Sequence, residues 1–481
     1  MQSLFEGLKY QNLWNYFYQL SQIPRESGNE EGVRQFLLEF AKEHNLEAIV
    51  DTIGNVILRK KAYPGYENRP SVALQGHMDM VCVKTEESDH DFDTDPITLV
   101  REGDILRAKD TTLGGDNGIA VAMAMDILAD PKAKHGPLEA IFTVSEETGL
   151  TGAFNIEKEL IQSRLLINLD SEEEGVLYIG CAGGLEVDAS LKADMQTIPS
   201  DYVGFTLSVT GLLGGHSGGE IHKQRANAIK AAARALSAVK TKMLFAASGG
   251  SKRNVIPSLC TVSFASPSSD SKAVEQAVLK CSKELQDEYS ISDPGIRLDL
   301  VKTDKPTKAA SAKQSEAFIR SLYIAPHGVD AMSMTIEGVV ETSSNLAILE
   351  FSDGEFSVTS SHRSSILSSR DDIAHRMGEA MKSGGATVKY VGAYPSWKPN
   401  PDSALTKFCA KAYEEFSGKK SHITAIHAGL ECGIINSRVP GMDSVSFGPD
   451  MYDVHSVKER LSLSSVERIM GFTRHLLSII E

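Results

Sequence analysis

The chain has 481 residues, a length that predicts about two to four domains and a large buried core. Its 49 Lys and Arg residues stand against 64 Asp and Glu residues, which gives a net charge of -15 at pH 7. A surface this acidic repels phosphate backbones and anionic lipid headgroups, so nucleic-acid and membrane partners are disfavoured. The composition favours a small molecule or a peptide as the partner.

The cysteines and the N-terminal segment indicate in which cellular compartment the protein is found. The six cysteines contain no C-x-x-C pair and are too scattered for a disulfide framework; they are Cys82, Cys181, Cys260, Cys281, Cys409 and Cys432. Glu6, Gln11 and Asn15 interrupt the apolar core that a signal peptide would need. No window reaches the roughly 18 uninterrupted apolar residues of a membrane span. The sequence therefore predicts a cytoplasmic protein.

The first third of the chain alternates helical and strand patterns. Leu13, Phe17 and Leu20 mark the apolar face of a first helix. The segments that follow predict, in order, a helix at 29–45, strands at 47–60 and 71–81, a hairpin at 97–109, a helix at 117–130, and strands at 138–145 and 164–170. Because these strands are apolar throughout and separated by helices, they predict an α/β fold with a mixed sheet covered by helices on both faces.

From about residue 185 the pattern changes to alternating, half-exposed strands with amphipathic helices. Strands at 201–211, 254–266 and 295–303 alternate with helices at 225–240 and 271–290. A similar helix, strand, strand, helix, strand order follows before residue 390, which predicts a two-lobed α+β insert. After residue 390 the α/β pattern returns. The predicted organisation is a first domain formed by 1–184 and 391–481, with a second domain inserted at 185–390.

Polar side chains follow the ends of the predicted strands. They fall in five short motifs, GHMDM, GGDNG, SEETG, NLDSEE and DVHSV, which contain His77, Asp79, Asp116, Glu146, Glu147, Asp170 and His455. Each motif alone is also explained as a turn or a helix cap. Five of them in equivalent positions favour a ligand site, since ligands bind at this edge of open α/β sheets. Two imidazoles and several carboxylates suit zinc, cobalt or manganese, and they suffice for two ions.

The order of these residues resembles the co-catalytic zinc peptidase superfamily of aminoacylases, carboxypeptidases and dipeptidases. The longer motifs GHMDMVC, TTLGGDNGIAVAMAM, SEETGLTGA, GGHSGGEIH and HAGLECG are similar to those of the bacterial aminoacyl-histidine (Xaa-His) dipeptidases. The similarity extends over nearly the whole chain, including the insert. It implies a zinc-peptidase catalytic domain and an inserted lid and dimerisation domain.

The resemblance implies two Zn²⁺ ions per subunit, with Co²⁺ or Mn²⁺ as substitutes. Asp116 would bridge the ions, with His77 and Asp170 on one and Glu147 and His455 on the other. The family also tends to have a cis peptide after the bridging aspartate, which here is the Asp116–Asn117 bond.

The resemblance gives separate roles to two further carboxylates. Glu146 would be the general base. It would take a proton from the water that bridges the ions and return that proton to the leaving amine. Asp79 would orient the imidazole of His77, a common support for a metal-bound histidine. The adjacent glutamates Glu146 and Glu147 are thus expected to do different work.

The resemblance also indicates residues for the substrate. His216, in GGHSGG, would stabilise the tetrahedral oxyanion, and in dimeric relatives this histidine can come from the other subunit. Asn345 and Arg363 are candidates for the substrate's C-terminal carboxylate, for which Arg offers a bidentate fork. Glu431 is a candidate for the free N-terminal ammonium. Arg363 is also explained as a solvated surface charge, and Glu431 as a carboxylate at a helix start.

These features predict hydrolysis of dipeptides with a free N-terminus, including Xaa-His, with β-alanyl-histidine as a candidate substrate. Spare strand edges in the insert predict a homodimer. An N-acyl amino acid deacylase on the same two-zinc site is an alternative. A non-catalytic peptide-binding protein is another, although binding alone would not require Glu146.

A serine hydrolase that uses Ser217 is a third alternative, because Gly215–Gly219 matches the motif G-x-S-x-G. That motif requires a strand that leads directly into the serine and a helix that leaves it. The predicted strand ends near Thr210 and the next helix starts near Arg225, so the context disfavours a nucleophilic serine.

Overall fold

The structure is a computed structural model that describes residues 4–481. Two compact units are distinguishable in it. The first comprises the described residues up to Cys181 together with Trp397–Ala425 and Leu430–Glu481. The second comprises Ala182–Ser396 and the short segment Ile426–Gly429.

Helices account for much of both units. The described residues form eleven α-helices: α1 (Gln11–Ser21), α2 (Glu31–Glu43), α3 (Gly115–Ala129), α4 (Thr151–Asn155), α5 (Ala228–Ser237), α6 (Ser271–Glu288), α7 (Ala312–Ile324), α8 (Leu367–Ser383), α9 (Ala404–Ser417), α10 (Glu431–Arg438) and α11 (Leu463–Ile479). Short 3₁₀ helices occur at Lys158–Leu160, Ile221–Lys223 and Ser268–Asp270.

The strands are mostly short. In chain order they are β1 (Glu47–Val50), β2 (Val56–Lys60), β3 (Val72–His77), β4 (Leu99–Glu102), β5 (Ile105–Ala108), β6 (Leu138–Thr143), β7 (Leu165–Asn168), β8 (Val176–Cys181), β9 (Gly183–Lys192), β10 (Met195–Thr197), β11 (Tyr202–Thr210), β12 (Met243–Gly249), β13 (Cys260–Pro267), β14 (Arg297–Thr303), β15 (Lys308–Ala310), β16 (Gly328–Met332), β17 (Val340–Ser352), β18 (Glu355–Ser364), β19 (Thr387–Tyr394), β20 (His422–Ile426), β21 (Asp443–Ser446), β22 (Met451–Tyr452) and β23 (Arg460–Ser462).

An eight-stranded mixed sheet forms the centre of the first unit, in the order β1-β2-β6-β3-β7-β21-β8-β20. Its middle is parallel, because β3 pairs in parallel with β6 and β7, and β21 pairs in parallel with β7. Smaller strands form a four-stranded sheet in the order β22-β23-β5-β4. The predicted α/β fold with a mixed sheet is confirmed.

A nine-stranded antiparallel sheet dominates the second unit, in the order β14-β11-β13-β12-β17-β18-β9-β19 with β16 beside β17. The repeated element order of the sequence corresponds to the two halves of this sheet. The halves are continuous, because β12 pairs with β17. A further two-stranded sheet joins β10 to β15.

The core of the first unit follows from its apolar patterns. Leu13, Trp14 and Phe17 of α1 are buried, which agrees with the predicted apolar face. α3 is apolar on all sides and buried from Asn117 to Leu128, as expected of a helix enclosed by protein. It packs against β3, whose residues are all buried. The start of α3 lies next to the end of β3, because the His77 backbone N–H donates to the side chain of Asn117.

The second unit has a core of its own. Alternate residues of β11 and β13 are buried, as in a sheet with one covered face. They pack with the apolar faces of helices α5, α6, α7 and α8 in one hydrophobic cluster. The small side chains of α5, such as Ala231, Ala232 and Ala235, allow this helix to lie close to the sheet.

Two further features concern the whole described chain. All six cysteines are free thiols, and five of them are buried. None of the helices in residues 4–481 combines the length and the apolar character needed to cross a bilayer.

Candidate metal centre

Three neighbouring parallel strands of the eight-stranded sheet end at the same edge. β3 ends at His77, β6 at Thr143 and β7 at Asn168. Since the carboxyl ends of adjacent parallel strands lie together, the loops that follow them leave the sheet side by side. Those loops carry Asp79, Glu146, Glu147 and Asp170.

The start of α3 brings Asp116 to this edge. A cis peptide bond joins Asp116 to Asn117, which confirms the bond expected from the resemblance. The side chain of Asn117 accepts a hydrogen bond from the backbone N–H of His77 (3.2 Å) and donates one to the carbonyl of Leu169 (3.0 Å). The residue after Asp116 therefore fixes the helix start to the ends of two strands. A β-carbon at Gly76 would overlap with Oδ1 of Asn117 and with the β-carbon of Ala120, so this approach requires glycine.

The carboxylate of Asp116 lies between the two predicted histidines. Its Oδ1 is 3.0 Å from Nε2 of His77, and its Oδ2 is 3.1 Å from Nε2 of His455. His455 Nε2 also lies 3.0 Å from Oε2 of Glu147. Asp170 Oδ1 is 3.5 Å from Nε2 of His77. The two oxygens of Asp116 thus face two different sets of side chains.

Asp79 is fully buried and organises the loops around it. Its Oδ1 lies 3.2 Å from Nδ1 of His77, on the side of the imidazole that faces away from Asp116. Its carboxylate also accepts hydrogen bonds from Ser27 (2.7 Å) and from the backbone N–H groups of Glu146 (3.1 Å) and Glu147 (3.2 Å). One carboxylate therefore orients His77 and both glutamate backbones.

The two adjacent glutamates share one group of possible metal ligands, with His77, but only Glu147 also belongs to a second group. β6 ends at Thr143, and Ser145 then adopts a left-handed conformation with φ 48°, which turns the chain before the glutamates. Glu147 lies with Asp116 and His455, whereas Glu146 lies within reach of both His77 and Glu147. The turn allows both side chains to face the same centre, which a regular strand would not permit.

The donor atoms suit divalent metal ions. Three groups have nitrogen and oxygen atoms that all lie within 4.8 Å of one another: His77 with Asp116 and Asp170, Asp116 with Glu147 and His455, and His77 with Glu146 and Glu147. Glu147 Oε1 and Asp170 Oδ1 are buried without a hydrogen-bond partner among the described residues. Buried carboxylate oxygens normally have partners, and a cation would supply one. Imidazole and carboxylate ligands without thiolates match zinc or its neighbours.

Protonation of the histidines reflects the surrounding negative charge. Burial by itself lowers the pKa of His455, but hydrogen bonds to Asp116 and Glu147 raise it to about 11. Burial also lowers the pKa of His77, whereas the Asp170 and Asp116 carboxylates raise it. The net pKa of His77 lies well above its ordinary value. For Asp116, hydrogen bonds from both histidines overcome burial and lower its pKa.

Three neighbouring carboxylates have raised pKa values, in contrast to Asp116. Burial, followed by the charges of Asp170 and Glu147, raises the pKa of Glu146 well above its ordinary value although His77 opposes this. Burial also raises the pKa of Asp170 to about 8 and that of Glu431 to about 7. Burial is the largest cause of these raised pKa values, and the charges of neighbouring carboxylates add to it. A bound cation would oppose both effects.

Glu431 lies in the first unit at the start of α10 and is completely buried. Its Oε2 accepts hydrogen bonds from Thr143 (2.6 Å) and from the side-chain amide of Gln75. Its Oε1 has no hydrogen-bond partner among the described residues. Binding of a substrate ammonium by Glu431 stays a prediction.

His216 lies in the second unit, in a turn after β11. Its Nδ1 accepts hydrogen bonds from the backbone N–H groups of Gly218 (3.2 Å) and Gly219 (3.0 Å). Its own backbone N–H donates to Glu220 (3.0 Å). Because Nδ1 accepts, the neutral imidazole carries its proton on Nε2.

Asn345 and Arg363 lie on the paired strands β17 and β18 of the second unit. Asn345 is opposite Ser361 and Arg363 is opposite Ser343, so the two residues are diagonal neighbours on one face of the sheet. The Arg363 Nη1 donates to the hydroxyl of Tyr394 (2.9 Å). The amide nitrogen of Asn345 donates to backbone carbonyls of Arg253 (3.2 Å) and Val255 (2.9 Å). Carboxylate binding by this pair stays a prediction.

Two buried charged residues, Arg25 and Glu459, contact the loops of the centre although no motif indicated them. Glu459 lies four residues after His455, and that spacing is the only sequence signal for it. Arg25 lies between α1 and α2 in a polar stretch that resembles a surface loop.

The family of the chain follows from comparison with known proteins. Residues 73–478 match the model of peptidase family M20/M25/M40, and the chain belongs to this family. It is a metallopeptidase, as the motifs predicted.

Two relatives are similar over nearly the full length. The cytosol non-specific dipeptidase of Escherichia coli is 37% identical over 473 residues, which cover 98% of each chain. The crystal structure of an aminoacylhistidine dipeptidase from Vibrio alginolyticus superposes with a TM-score of 0.91 at 36% identity, covering 99% of this chain and 98% of that one. These matches confirm the resemblance to bacterial aminoacyl-histidine dipeptidases. A Staphylococcus aureus tripeptidase, 17% identical with a TM-score of 0.58 and covering 98% of this chain and 99% of that one, shares the fold.

Proposed function

We propose that the chain hydrolyses dipeptides with a free N-terminus, including Xaa-His dipeptides, at a two-metal centre in its first unit. The observation that carries this proposal is the full-length similarity to two dipeptidases at 36% and 37% identity. The clustering of His77, Asp116, Glu147, Asp170 and His455 supports it, because these residues come from distant parts of the sequence.

The proposed metal ligands follow the groups of donor atoms. His77, Asp116 and Asp170 would hold one ion, and Asp116, Glu147 and His455 the other. Zinc is the proposed metal, with Co²⁺ or Mn²⁺ as substitutes, because the donors are nitrogen and oxygen. When bound, such ions polarise the scissile carbonyl and acidify the attacking water.

Glu146 is the proposed general base. Its carboxylate takes a proton from the attacking water as the water oxygen bonds to the peptide carbon. When the C–N bond breaks, Glu146 delivers that proton to the leaving amine. Asp79 supports this role, since it accepts the backbone N–H of Glu146 and limits where the side chain can lie.

His216 is the proposed donor to the tetrahedral oxyanion. Its Nε2 carries the proton because Nδ1 is engaged by two backbone N–H groups. Fixed donors of this kind stabilise developing negative charge without reorganisation. We propose that the second unit acts as the lid and that the protein is a homodimer, in which His216 serves its own subunit or the other.

Arg363 and Asn345 are proposed to bind the substrate's C-terminal carboxylate. The Nε of Arg363 is buried and has no hydrogen-bond partner among the described residues, so one side of its fork is available. Its other side is oriented by Tyr394. Glu431 is proposed for the substrate ammonium. A cytoplasmic location is supported by the name of the E. coli relative, which is called a cytosol enzyme.

The surroundings of Ser217 do not favour a serine hydrolase. Ser217 lies in a turn that is separated from β11, which ends at Thr210, and from α5, which begins at Ala228. Its buried Oγ has no hydrogen-bond partner among the described residues. A nucleophilic serine would need a base within hydrogen-bond reach.

A comparison of substrates tests the proposal. The zinc-loaded protein is given alanyl-histidine, β-alanyl-histidine and N-acetyl-alanyl-histidine, before and after treatment with a chelator. We expect cleavage of the free dipeptides, little cleavage of the acetylated one, and loss of activity on metal removal. Faster cleavage of the acetylated compound would establish a deacylase, and full activity without metal would restore Ser217 as a candidate.

A further inference from the structure

A buried pair of opposite charges lies beside the proposed metal ligands and belongs to none of their groups. Arg25 is 4% exposed and Glu459 is 3% exposed. Burial of a charged group is costly unless hydrogen bonds and an opposite charge compensate it. The side chains of both residues form hydrogen bonds with the backbone of loops, which indicates that they hold those loops in place.

The carboxylate of Glu459 binds the loop that leads into Asp116. Its Oε2 accepts the backbone N–H groups of Leu113 (2.7 Å) and Gly114 (3.0 Å). Its Oε1 accepts those of Gly115 (2.8 Å) and Asp116 (3.3 Å). Four successive N–H groups thus converge on one side chain, an arrangement that otherwise binds external anions.

Glu459 also joins two distant parts of the sequence. It follows His455 by four residues, and a backbone hydrogen bond from its N–H to the carbonyl of Ser456 (3.0 Å) closes the turn between them. The distance between His455 and Asp116 therefore depends on a short loop and on the Glu459 carboxylate.

The guanidinium of Arg25 binds the same region from the other side. It donates to the carbonyls of Met78 (3.1 Å) and Asp79 (2.8 Å), which follow His77, and to the carbonyl of Gly114. A planar fork with several donors can reach carbonyls on two loops at once, which a lysine could not do in the same way. Arg25 therefore connects the loop after β3 to the loop before α3.

We infer that Arg25 and Glu459 are positioning residues that set the separation of His77, Asp116 and His455 before any metal binds. This inference rests on the proposed metal centre. Four carboxylates and two imidazoles face one another there. Repulsion between the carboxylates favours separation of their loops in the absence of ions, unless other contacts hold the backbone. The brace formed by Arg25 and Glu459 keeps the ligands in place, so metal binding does not have to order them.

The variant Glu459→Gln tests the brace with little change in shape. Glutamine retains one acceptor oxygen but places an NH₂ group against backbone N–H donors, so two of the four hydrogen bonds are lost. The matched control is Glu139→Gln. Glu139 is 2% exposed and accepts the backbone N–H groups of Gln162 (3.1 Å) and Ser163 (2.7 Å) and the guanidinium of Arg59 (2.9 Å). It lies near the other end of β6, away from the metal ligands.

Each metal-free protein is titrated with Co²⁺ while its visible absorption and its thermal unfolding are recorded. We expect Glu459→Gln to bind at least one Co²⁺ equivalent about 10- to 100-fold more weakly, the usual effect of losing a group that orients a ligand. Its d–d absorption band should also change, since the ligand geometry changes. Glu139→Gln should retain the native Co²⁺ affinity and spectrum.

Native Co²⁺ affinity and spectrum in Glu459→Gln would overturn the inference. Equal weakening in Glu139→Gln would also overturn it, because the effect would then be general destabilisation. If the unsubstituted protein binds no Co²⁺, the proposed metal centre itself fails, which is a different result.

A measurement on the unsubstituted protein covers the case in which Glu459→Gln does not fold. Hydrogen exchange of the metal-free protein should show protection of the amides from Leu113 to Asp116, because Glu459 binds them without metal. Rapid exchange of these amides that slows only after Co²⁺ is added would contradict a brace that exists before the metal.

Discussion

The two units hold their functional candidates in different ways. In the first unit, carboxylates from several loops face one another around Asp116 and lack enough internal donors to satisfy them. In the second unit, His216, Asn345 and Arg363 are each held by hydrogen bonds to backbone or to a neighbouring hydroxyl. We expect cations to complete the first arrangement, whereas the second is a set of oriented donors.

This difference indicates that the first unit contributes metal binding and the second contributes oriented hydrogen-bond donors. Unpaired buried carboxylates are unfavourable alone, so their concentration in the first unit indicates a function that requires metal. Donors that hydrogen bonds hold in a turn, as for His216, or in a sheet, as for Asn345 and Arg363, are stable without a ligand, so the second unit can present them in advance. Substitutions should therefore separate loss of metal from loss of rate.

The largest expected effect is on turnover in Glu146→Gln. The amide cannot accept the proton of the attacking water, so kcat should fall by about 10²- to 10⁴-fold, the range typical of a general base. Metal content by mass spectrometry should remain that of the unsubstituted protein. Unchanged turnover would exclude Glu146 as the base, and Glu139→Gln serves as the buried-carboxylate control.

A smaller loss of rate is expected for His216→Ala, with no loss of metal. Removal of one oxyanion donor typically costs about 10²- to 10³-fold in kcat. His222→Ala is the control, because His222 is an exposed histidine six residues further along the same segment. Loss of metal in His216→Ala would contradict the assignment of metal binding to the first unit alone.

Glu147→Gln should lose metal where Glu146→Gln does not. Glu147 contacts His455 and has a buried oxygen without a partner among the described residues, so its charge is needed for an ion. The affinity for one of two Co²⁺ equivalents should fall by at least the roughly 10- to 100-fold typical of groups that support ligands. Equal metal affinity in the two variants would contradict the separate roles of the adjacent glutamates.

Metal binding to the first unit should release protons. In the metal-free protein the pKa of His455 is about 11, that of Asp170 is about 8 and that of His77 lies well above its ordinary value, so these ligands carry protons at pH 7. An ion must displace these protons, and its affinity should rise by about tenfold per pH unit for each one. Above pH 8 Asp170 is already deprotonated, so the slope should decrease. Calorimetry in buffers of different ionisation enthalpy measures the release, and its absence would contradict these ligands.

The raised pKa of His455 also determines how the free energy of unfolding changes with pH. The pKa of His455 in the folded metal-free protein lies above the value of about 6.5 for an unfolded chain. Its contribution to the free energy of unfolding is therefore fully present below pH 6.5 and is lost as the pH rises towards 11. Thermal unfolding of the metal-free protein across this range measures the loss.

Much of the site in the first unit was predictable because topology determines it. The strands that end at His77, Thr143 and Asn168 are apolar runs that must lie side by side in a sheet. Polar residues just after such runs therefore meet at one edge. His455 was also indicated locally, by the motif DVHSV after a predicted strand, and the resemblance added its role as a ligand together with Asp116 and Glu147.

Other features depend on tertiary packing that a sequence pattern does not contain. Arg25 resembles a surface residue, yet it is buried and donates to three carbonyls from two distant loops. Glu431 looks like an exposed carboxylate at a helix start, yet it is completely buried against Gln75 and Thr143. The pairing of β12 with β17, which joins two repeated halves into one sheet, likewise has no local signal.

The position of His455 in the sequence has a consequence for the synthesis of the protein. His77, Asp116, Glu147 and Asp170 all precede the second unit in the chain, whereas His455 and Glu459 follow it. A growing chain lengthens by about 5–20 residues per second, so the early carboxylates leave the ribosome well before their late partners. Until then the centre has neither its second imidazole nor the anchor for the loop before Asp116. If His455 and Glu459 act as proposed, we expect peptide cleavage to begin only after the last part of the chain has been synthesised.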